Sequence, residues 1–133
     1  MEAWYILVFF SNPKNLTALA SRASLRNQNG SKAEAEADYS KIISLQPSHA
    51  SALSNRGRIR DERGNKGGAL EDYTRSLSIN RNQPSIYNNR GLLLAELGNT
   101  KAALSDYNAA IDRLPTYAAA YNNRSALYIS LKN

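Results

Sequence analysis

The sequence contains no cysteine, which excludes disulfide bonds, thiol catalysis and cysteine-bound zinc. The only long apolar run, residues 3–10, is eight residues long. A transmembrane helix needs about 20 apolar residues, so we expect no membrane span. The chain opens with Met1 and Glu2 rather than with basic residues, so we expect no secretory signal. These absences favour a cytoplasmic protein.

Groups that carry catalysis are also scarce. His49 is the single histidine, and it has no other ligand at metal-binding spacing. The sequence has no glycine-rich loop of the kind that cradles phosphate. We therefore predict that the protein is not an enzyme and that it needs no cofactor or metal ion. Its net charge of +6 permits acidic partners, including nucleic acid.

What the sequence does contain is a pattern that recurs every 34 residues. The run Tyr-Asn-Asn-Arg-Gly at residues 87–91 has counterparts at residues 55–57 and 121–125. Such self-similarity indicates a repeat array. The frame divides the chain into a degenerate N-terminal helix (1–15), three repeats (16–49, 50–83 and 84–117) and a final half-repeat or capping helix (118–133).

Each repeat reads as two helices. A glycine at position 15 of the repeat ends the first helix by adopting a left-handed conformation: Gly30, Gly64 and Gly98. The residue after each glycine is a good N-cap for the second helix: Ser31, Asn65 and Asn99. The second helix carries alanine, tyrosine and an apolar residue at steps of four, on one helical face. Small residues at positions 8 and 20 let the two helices approach closely.

This pattern resembles the tetratricopeptide repeat family in its period, its small residues, its aromatic residue at position 24 and its proline at position 32. The resemblance covers residues 16–131 and implies an all-α fold, a right-handed α-solenoid of antiparallel helical hairpins. The sequence departs from the family pattern at positions 11 and 14 of the first two repeats, where polar residues replace larger apolar ones: Arg26, Asn29, Arg60 and Arg63. We therefore expect the first two repeats to be less stable than the third.

An arginine at position 7 and an aspartate at position 23 recur together, 16 residues apart. We predict a half-buried, bidentate ion pair between the two helices of each repeat. The three pairs are Arg22–Asp38, Arg56–Asp72 and Arg90–Asp106. Arg124 has no such aspartate after it.

The resemblance also implies a binding surface. In the family, positions 2, 5, 6, 9, 12 and 13 of the first helix face the concave groove. Asparagine is a poor residue for a helix interior, but a row of amides can bind the backbone of an extended peptide. We predict a peptide-binding groove formed by Asn55, Asn88, Asn89, Asn122 and Asn123, with selectivity from Arg58, Glu62, Leu92 and Glu96.

Two other binding modes of helical repeats fit the sequence less well. The carboxylate clamp that grips chaperone C-termini needs lysine where this sequence has Ala20 and Ser85, asparagine where it has Ser24, and arginine where it has Asn89. Starting one repeat later, the lysine and arginine positions hold Ser54, Ala119 and Asn123, so we reject this mode. RNA binding belongs to the related pentatricopeptide class, whose period is 35 residues. We therefore do not expect nucleic acid as a partner.

The sequence predicts a protein–protein interaction scaffold or adaptor that holds an extended peptide of a partner. Two alternatives remain open. In the first, the chain is the regulatory or substrate-recruiting segment of a larger enzyme. In the second, it is a structural solenoid that self-associates through its ends, and the apolar segment 3–10 is the candidate surface for that self-association.

Overall fold

A computed structural model describes residues 15–132, which form seven α-helices and contain no β-strand. The all-α prediction is confirmed for this part of the chain. The helices are α1 (Leu16–Gln28), α2 (Lys32–Leu45), α3 (Ala50–Glu62), α4 (Lys66–Ile79), α5 (Pro84–Glu96), α6 (Thr100–Arg113) and α7 (Ala118–Lys132). The apolar segment 3–10 lies outside the described residues, so self-association through it stays a prediction.

The chain divides into two compact units, an N-terminal unit that ends at Asp72 and a C-terminal unit that begins at Tyr73. Because tyrosine at position 24 faces the interior, Tyr39 lies in the core of the N-terminal unit. It packs there among aliphatic side chains of α1, α2 and α3, including Leu19, Ile42, Leu53 and Ile59. In the C-terminal unit the equivalent Tyr107 is buried, as are Leu77, Ile86, Leu93 and Ala110.

The three glycines at position 15 end the first helices as predicted. Gly30, Gly64 and Gly98 have φ angles of 84°, 87° and 85°, which residues with a side chain rarely adopt. Around Gly98, the amide of Asn99 donates to the carbonyl of Leu94 at 2.8 Å. This bond defines the Schellman motif, which satisfies carbonyl groups left open at a helix end.

Side-chain capping bonds are present at two of the three predicted N-caps. Asn65 Oδ1 accepts a hydrogen bond from the amide of Gly68 at 3.0 Å, and Asn99 Oδ1 accepts one from the amide of Ala102 at 3.3 Å. Ser31 lies at the predicted N-cap position of α2, but its side chain makes no capping bond.

The helices of the third repeat cross at Gly91. A β-carbon added there would lie 2.8 Å from Tyr107 Cε1 and 3.2 Å from Asp106 Cβ. Contacts that short require the neighbouring side chains or backbone to move. Glycine at position 8 is therefore what allows α5 and α6 to pack as closely as they do.

The predicted arginine–aspartate pairs are present in all three repeats, and each is bidentate. Arg90 donates from Nε and Nη2 to the two oxygens of Asp106, both at 2.7 Å. The corresponding bonds are 3.0 and 2.7 Å from Arg22 to Asp38 and 2.8 and 2.7 Å from Arg56 to Asp72. All three aspartates are buried.

The polar residues at position 11 have an explanation that the sequence reading missed. Arg26 Nη1 donates to both oxygens of Asp38, at 3.2 and 3.0 Å, and Arg60 Nη1 donates to Asp72 Oδ2 at 3.2 Å. The buried aspartate of each of the first two repeats thus binds two arginines. In the third repeat, Leu94 occupies position 11.

The arginines at position 7 also reach back to position 25 of the preceding repeat. Nη1 of Arg56 donates to Ser40 Oγ at 3.2 Å, and Nη1 of Arg90 donates to Thr74 Oγ1 at 3.3 Å. The side chain of one residue therefore joins both helices of its own repeat to the second helix of the repeat before it.

Candidate functional site

The first-helix face, defined as positions 2, 5, 6, 9, 12 and 13 of α1, α3, α5 and α7, carries the predicted binding residues. In the N-terminal unit it contains three of them, all on α3. Asn55 is half-buried, whereas Arg58 and Glu62 are exposed. Glu62 forms an ion pair with Lys32 at the start of α2. Lys32 Nζ also donates to Asn27 Oδ1 at 3.1 Å. In this part of the face, side-chain groups therefore already bind one another.

In the C-terminal unit, α5 contributes four of the predicted residues. Asn89 is half-buried, and Leu92 and Glu96 are exposed. The fraction exposed at Leu92 is 44%, a large value for leucine in a helix that packs on its neighbours. Asn88 differs from the others because it is buried, with 6% of its surface exposed.

The buried Asn88 is bonded to Asn123 of α7. Nδ2 of Asn123 donates to Oδ1 of Asn88 at 3.0 Å. This bond joins the first helices of two consecutive repeats within the C-terminal unit. It uses one amide hydrogen and one carbonyl of the predicted row, and it fixes how Asn123 is oriented. The neighbouring Asn122 is exposed.

Three amides of the face have no such partner. Within residues 15–132, the side chains of Asn55, Asn89 and Asn122 make no hydrogen bond. By contrast, every buried side-chain nitrogen and oxygen in that part of the chain is hydrogen-bonded. Asparagine lowers helix stability relative to alanine. Three helix-interior amides without an intramolecular partner therefore cost stability and leave donors and acceptors available.

Charged residues of the first-helix face influence the pKa values of two buried tyrosines. Burial raises the pKa of Tyr39, and the positive charge of Arg58 partly opposes that rise. Burial also raises the pKa of Tyr107, and the negative charges of Glu96 and Asp106 add to the effect. The face is thus positive near Arg58 in the N-terminal unit and negative near Glu96 in the C-terminal unit.

The sequence reading missed two residues of this region. Ile129 lies at position 12 of α7 and is 64% exposed, so the C-terminal unit presents a second large apolar side chain besides Leu92. Position 12 was already assigned to the face, so the repeat frame was sufficient to predict that Ile129 belongs to it. Lys32, the ion-pair partner of Glu62, lies on the second helix, and its role required the structure.

The single histidine has a structural role. Nδ1 of His49 accepts a hydrogen bond from the amide of Ala52 at 3.1 Å, so this side chain caps the start of α3. Among residues 15–132, no group of three acidic, histidine or cysteine side chains is placed to hold a metal ion. None of the helices in that range is long and apolar enough to cross a membrane.

Family models match most of the chain. The model described as tetratricopeptide repeat matches residues 16–49 and 84–117, and the model described as TPR repeat matches residues 57–98. No curated protein matches the sequence.

Several solved structures share the fold. MamA is 21% identical and superimposes with a TM-score of 0.90, covering 96% of this chain and 75% of its own. The first TPR of Spaghetti (RPAP3), bound to the HSP90 peptide SRMEEVD, is 20% identical with a TM-score of 0.84, covering 89% and 94%. The type III secretion chaperone SycD of Yersinia enterocolitica, in complex with a peptide of the translocator YopD, is 16% identical with a TM-score of 0.80, covering 86% and 93%. At these identities the likeness concerns the fold.

Proposed function

Because the chain belongs to the tetratricopeptide repeat family, we propose that it is a protein-interaction module. Its first-helix face binds an extended segment of a partner protein. Two similar structures, those of Spaghetti and SycD, contain a bound peptide, which supports a peptide as the ligand class. Fold likeness alone does not assign a function, so the proposal rests on the residues of the face.

The observation that carries the proposal is the set of unpartnered amides. Asn55 in the N-terminal unit and Asn89 and Asn122 in the C-terminal unit offer donors and acceptors, and each is anchored in a helix. An extended peptide presents its backbone N–H and C=O groups at regular intervals. Amides that carry both a donor and an acceptor can bind that backbone whatever its side chains are.

Selectivity would come from the residues around the amides. Leu92 and Ile129 offer an apolar surface in the C-terminal unit, and an apolar side chain of the peptide would gain free energy by covering them. In the N-terminal unit Arg58 would favour an acidic residue. We assign Asn88 an indirect role, since it is buried and orients Asn123.

The experiment is an affinity capture with the full chain, followed by mass spectrometry. We compare the wild type with the triple variant Asn55→Ala, Asn89→Ala and Asn122→Ala. These three are chosen because their replacement breaks no hydrogen bond within residues 15–132. The control variant replaces Ser48, Asn82 and Ser105 with alanine, all of which are exposed and lie off the first-helix face.

Partners that the wild type and the control capture, and that the triple variant loses, would support the proposal. Circular dichroism must show that the triple variant keeps its helicity, which alanine in place of helix-interior asparagine should raise slightly. An identical set of captured proteins for all three chains would overturn the role of the amides.

A further inference from the structure

The hydroxyl of Tyr39 on α2 has no hydrogen-bond partner within residues 15–132, although the residue lies in the core of the N-terminal unit. Only 5% of Tyr39 is exposed. In the same part of the chain, every buried side-chain nitrogen and oxygen is hydrogen-bonded. The unbonded hydroxyl must therefore reach the surface, while packing holds the ring in place.

Arg58 on α3 is the charged residue that acts most strongly on this hydroxyl. Burial raises the pKa of Tyr39, the positive charge of Arg58 lowers it, and the negative charge of Asp38 raises it. The net shift is upward from 10.0, so the hydroxyl is protonated at neutral pH and can donate. Ile59, which directly follows Arg58, belongs to the same core cluster as Tyr39, so this turn of α3 lies over the tyrosine.

The charge of Arg58 is not neutralised by an ion pair within residues 15–132. Arg58 is exposed. The two acidic residues one turn further along α3 each bind a lysine, Asp61 with Lys66 and Glu62 with Lys32. The guanidinium of Arg58 therefore remains available to an anion that approaches from solvent.

We propose that Tyr39 and Arg58 form a subsite that binds an anionic side chain of the partner segment, either a carboxylate or a phosphorylated hydroxyl. The inference rests on the proposed function and adds a specificity-determining residue from a second helix. The guanidinium binds two anionic oxygens as a fork, and the tyrosine hydroxyl donates to one of them. Asn55 lies beside Arg58 on the surface of α3, three residues earlier, and holds the peptide backbone next to the subsite.

The C-terminal unit contains a matched tyrosine in surroundings of opposite sign. Tyr107 is the equivalent residue of the third repeat and is 1% exposed. The charges that act on it are the negative ones of Glu96 and Asp106. An anion would be repelled there, so the subsite is a property of the N-terminal unit, and Tyr107 provides a control.

The probe is a library of short peptides with blocked termini. One central residue is glutamate, aspartate, phosphoserine or glutamine, and the other positions vary among uncharged residues. The full chain is immobilised, and mass spectrometry measures the amount of each peptide that it retains. The peptides with glutamine are the uncharged reference, and the blocked termini exclude binding through a terminal carboxylate.

We expect the wild type to retain at least one class of anionic peptide about tenfold more than the glutamine peptides, because hydrogen bonds to charged groups are strong. Arg58→Gln should abolish this preference. Tyr39→Phe keeps the ring and removes only the hydroxyl, and it should reduce the preference about three- to tenfold. Two controls should keep it in full. Lys41→Gln removes an exposed charge of α2 that has no ion pair within residues 15–132, and Tyr107→Phe removes the equivalent hydroxyl.

Four results would overturn the proposal. The first is equal retention of anionic and glutamine peptides, and the second is an anion preference that survives Arg58→Gln. The third is an equal loss in Lys41→Gln, since the preference would then reflect net charge alone. The fourth is an equal effect of Tyr39→Phe and Tyr107→Phe, which would exclude the tyrosine from the subsite.

The library also separates this proposal from the one on which it rests. If the chain retains peptides without preferring the anionic ones, the subsite is refuted and the peptide-binding function stands. If the chain retains no peptide of any class, the peptide-binding function fails and the subsite fails with it.

Discussion

Arg90 binds Asp106 through two parallel hydrogen bonds of 2.7 Å each, across the two helices of one repeat. The hydrogen bonds that Arg90 donates to Asp106 hold the pKa of Arg90 above its ordinary value. We expect Arg90→Gln and Asp106→Asn to couple by about 1.5–3 kcal/mol in a double-mutant cycle. Urea unfolding measures the four free energies. Additive effects of the two changes would show that the pair contributes nothing of its own.

The two arginines on Asp72 should differ in importance. Arg56 makes two short bonds to the carboxylate, whereas Arg60 makes one of 3.2 Å. Arg56→Leu leaves a buried carboxylate poorly compensated, and we expect a loss of about 3 kcal/mol in unfolding free energy. Arg60→Leu copies the third repeat, where Leu94 occupies this position, and we expect a change within about 1 kcal/mol. Equal losses would mean that both arginines are required.

Replacing glycine by alanine should lower the stability of the fold at one position and raise it at another. Gly91→Ala places a methyl group 2.8 Å from Tyr107 Cε1, and we expect a loss of about 1–3 kcal/mol. Gly67→Ala introduces a methyl group with nothing within 4 Å near the start of α4, and we expect a gain of about 0.5–1 kcal/mol from helix propensity. Thermal or urea unfolding tests both. Stabilisation by Gly91→Ala would refute the close helix crossing.

The pH dependence of stability should include a contribution from Glu36. Burial alone would raise the pKa of this carboxyl group, but the hydrogen bonds and charges of Arg60 and Arg63 outweigh it and lower the pKa below 4.5. The folded chain therefore releases this proton more easily than the unfolded chain does. The stabilisation is complete above the ordinary pKa and is lost as the pH falls through the lowered value.

The test compares Glu36→Gln with the wild type at neutral and acidic pH. We expect the free energy of unfolding of the wild type to exceed that of the variant by less than about 1 kcal/mol at pH 7, since the ion pairs are partly exposed. The difference should be smaller near pH 3. Glu71→Gln is the control, because Glu71 is exposed and residues 15–132 give it no ion pair. If the difference in unfolding free energy grew on acidification, the pKa of Glu36 would be raised by folding and not lowered.

The chain should not bind the peptide SRMEEVD, which the Spaghetti structure contains. Charged C-terminal carboxylates require basic partners, and the lysine and arginine positions of the clamp here hold Ala20, Ser85 and Asn89. We expect no saturable binding up to about 1 mM peptide by isothermal titration calorimetry. Micromolar binding would show that the rejection of the clamp is wrong.

Much of the fold was predictable because the same residue types recur at the same positions of each repeat. The positive φ of Gly30, Gly64 and Gly98 follows from a residue type that recurs at one position. The bidentate pairs followed from a constant separation of arginine and aspartate. Ser31 shows the limit, because residue type alone does not determine whether a hydroxyl reaches the amide it should cap.

The candidate site was predictable in outline only. The frame placed Asn88 with the other amides, but the structure buries it and bonds it to Asn123. Whether an amide is available or already bonded depends on the distance between two helices. The residue types at positions 88 and 123 do not reveal that distance. The second arginine that binds Asp72 was missed for another reason, because Arg60 lies at a position that the family fills with apolar residues.

The sequence by itself determined the period, the helices, their ends and the pairs that recur at fixed separation, because these depend on local backbone preferences and on spacing. The tertiary structure alone decided which polar groups are paired and which amides remain open. Those properties depend on how closely side chains from different helices approach, and packing sets that distance.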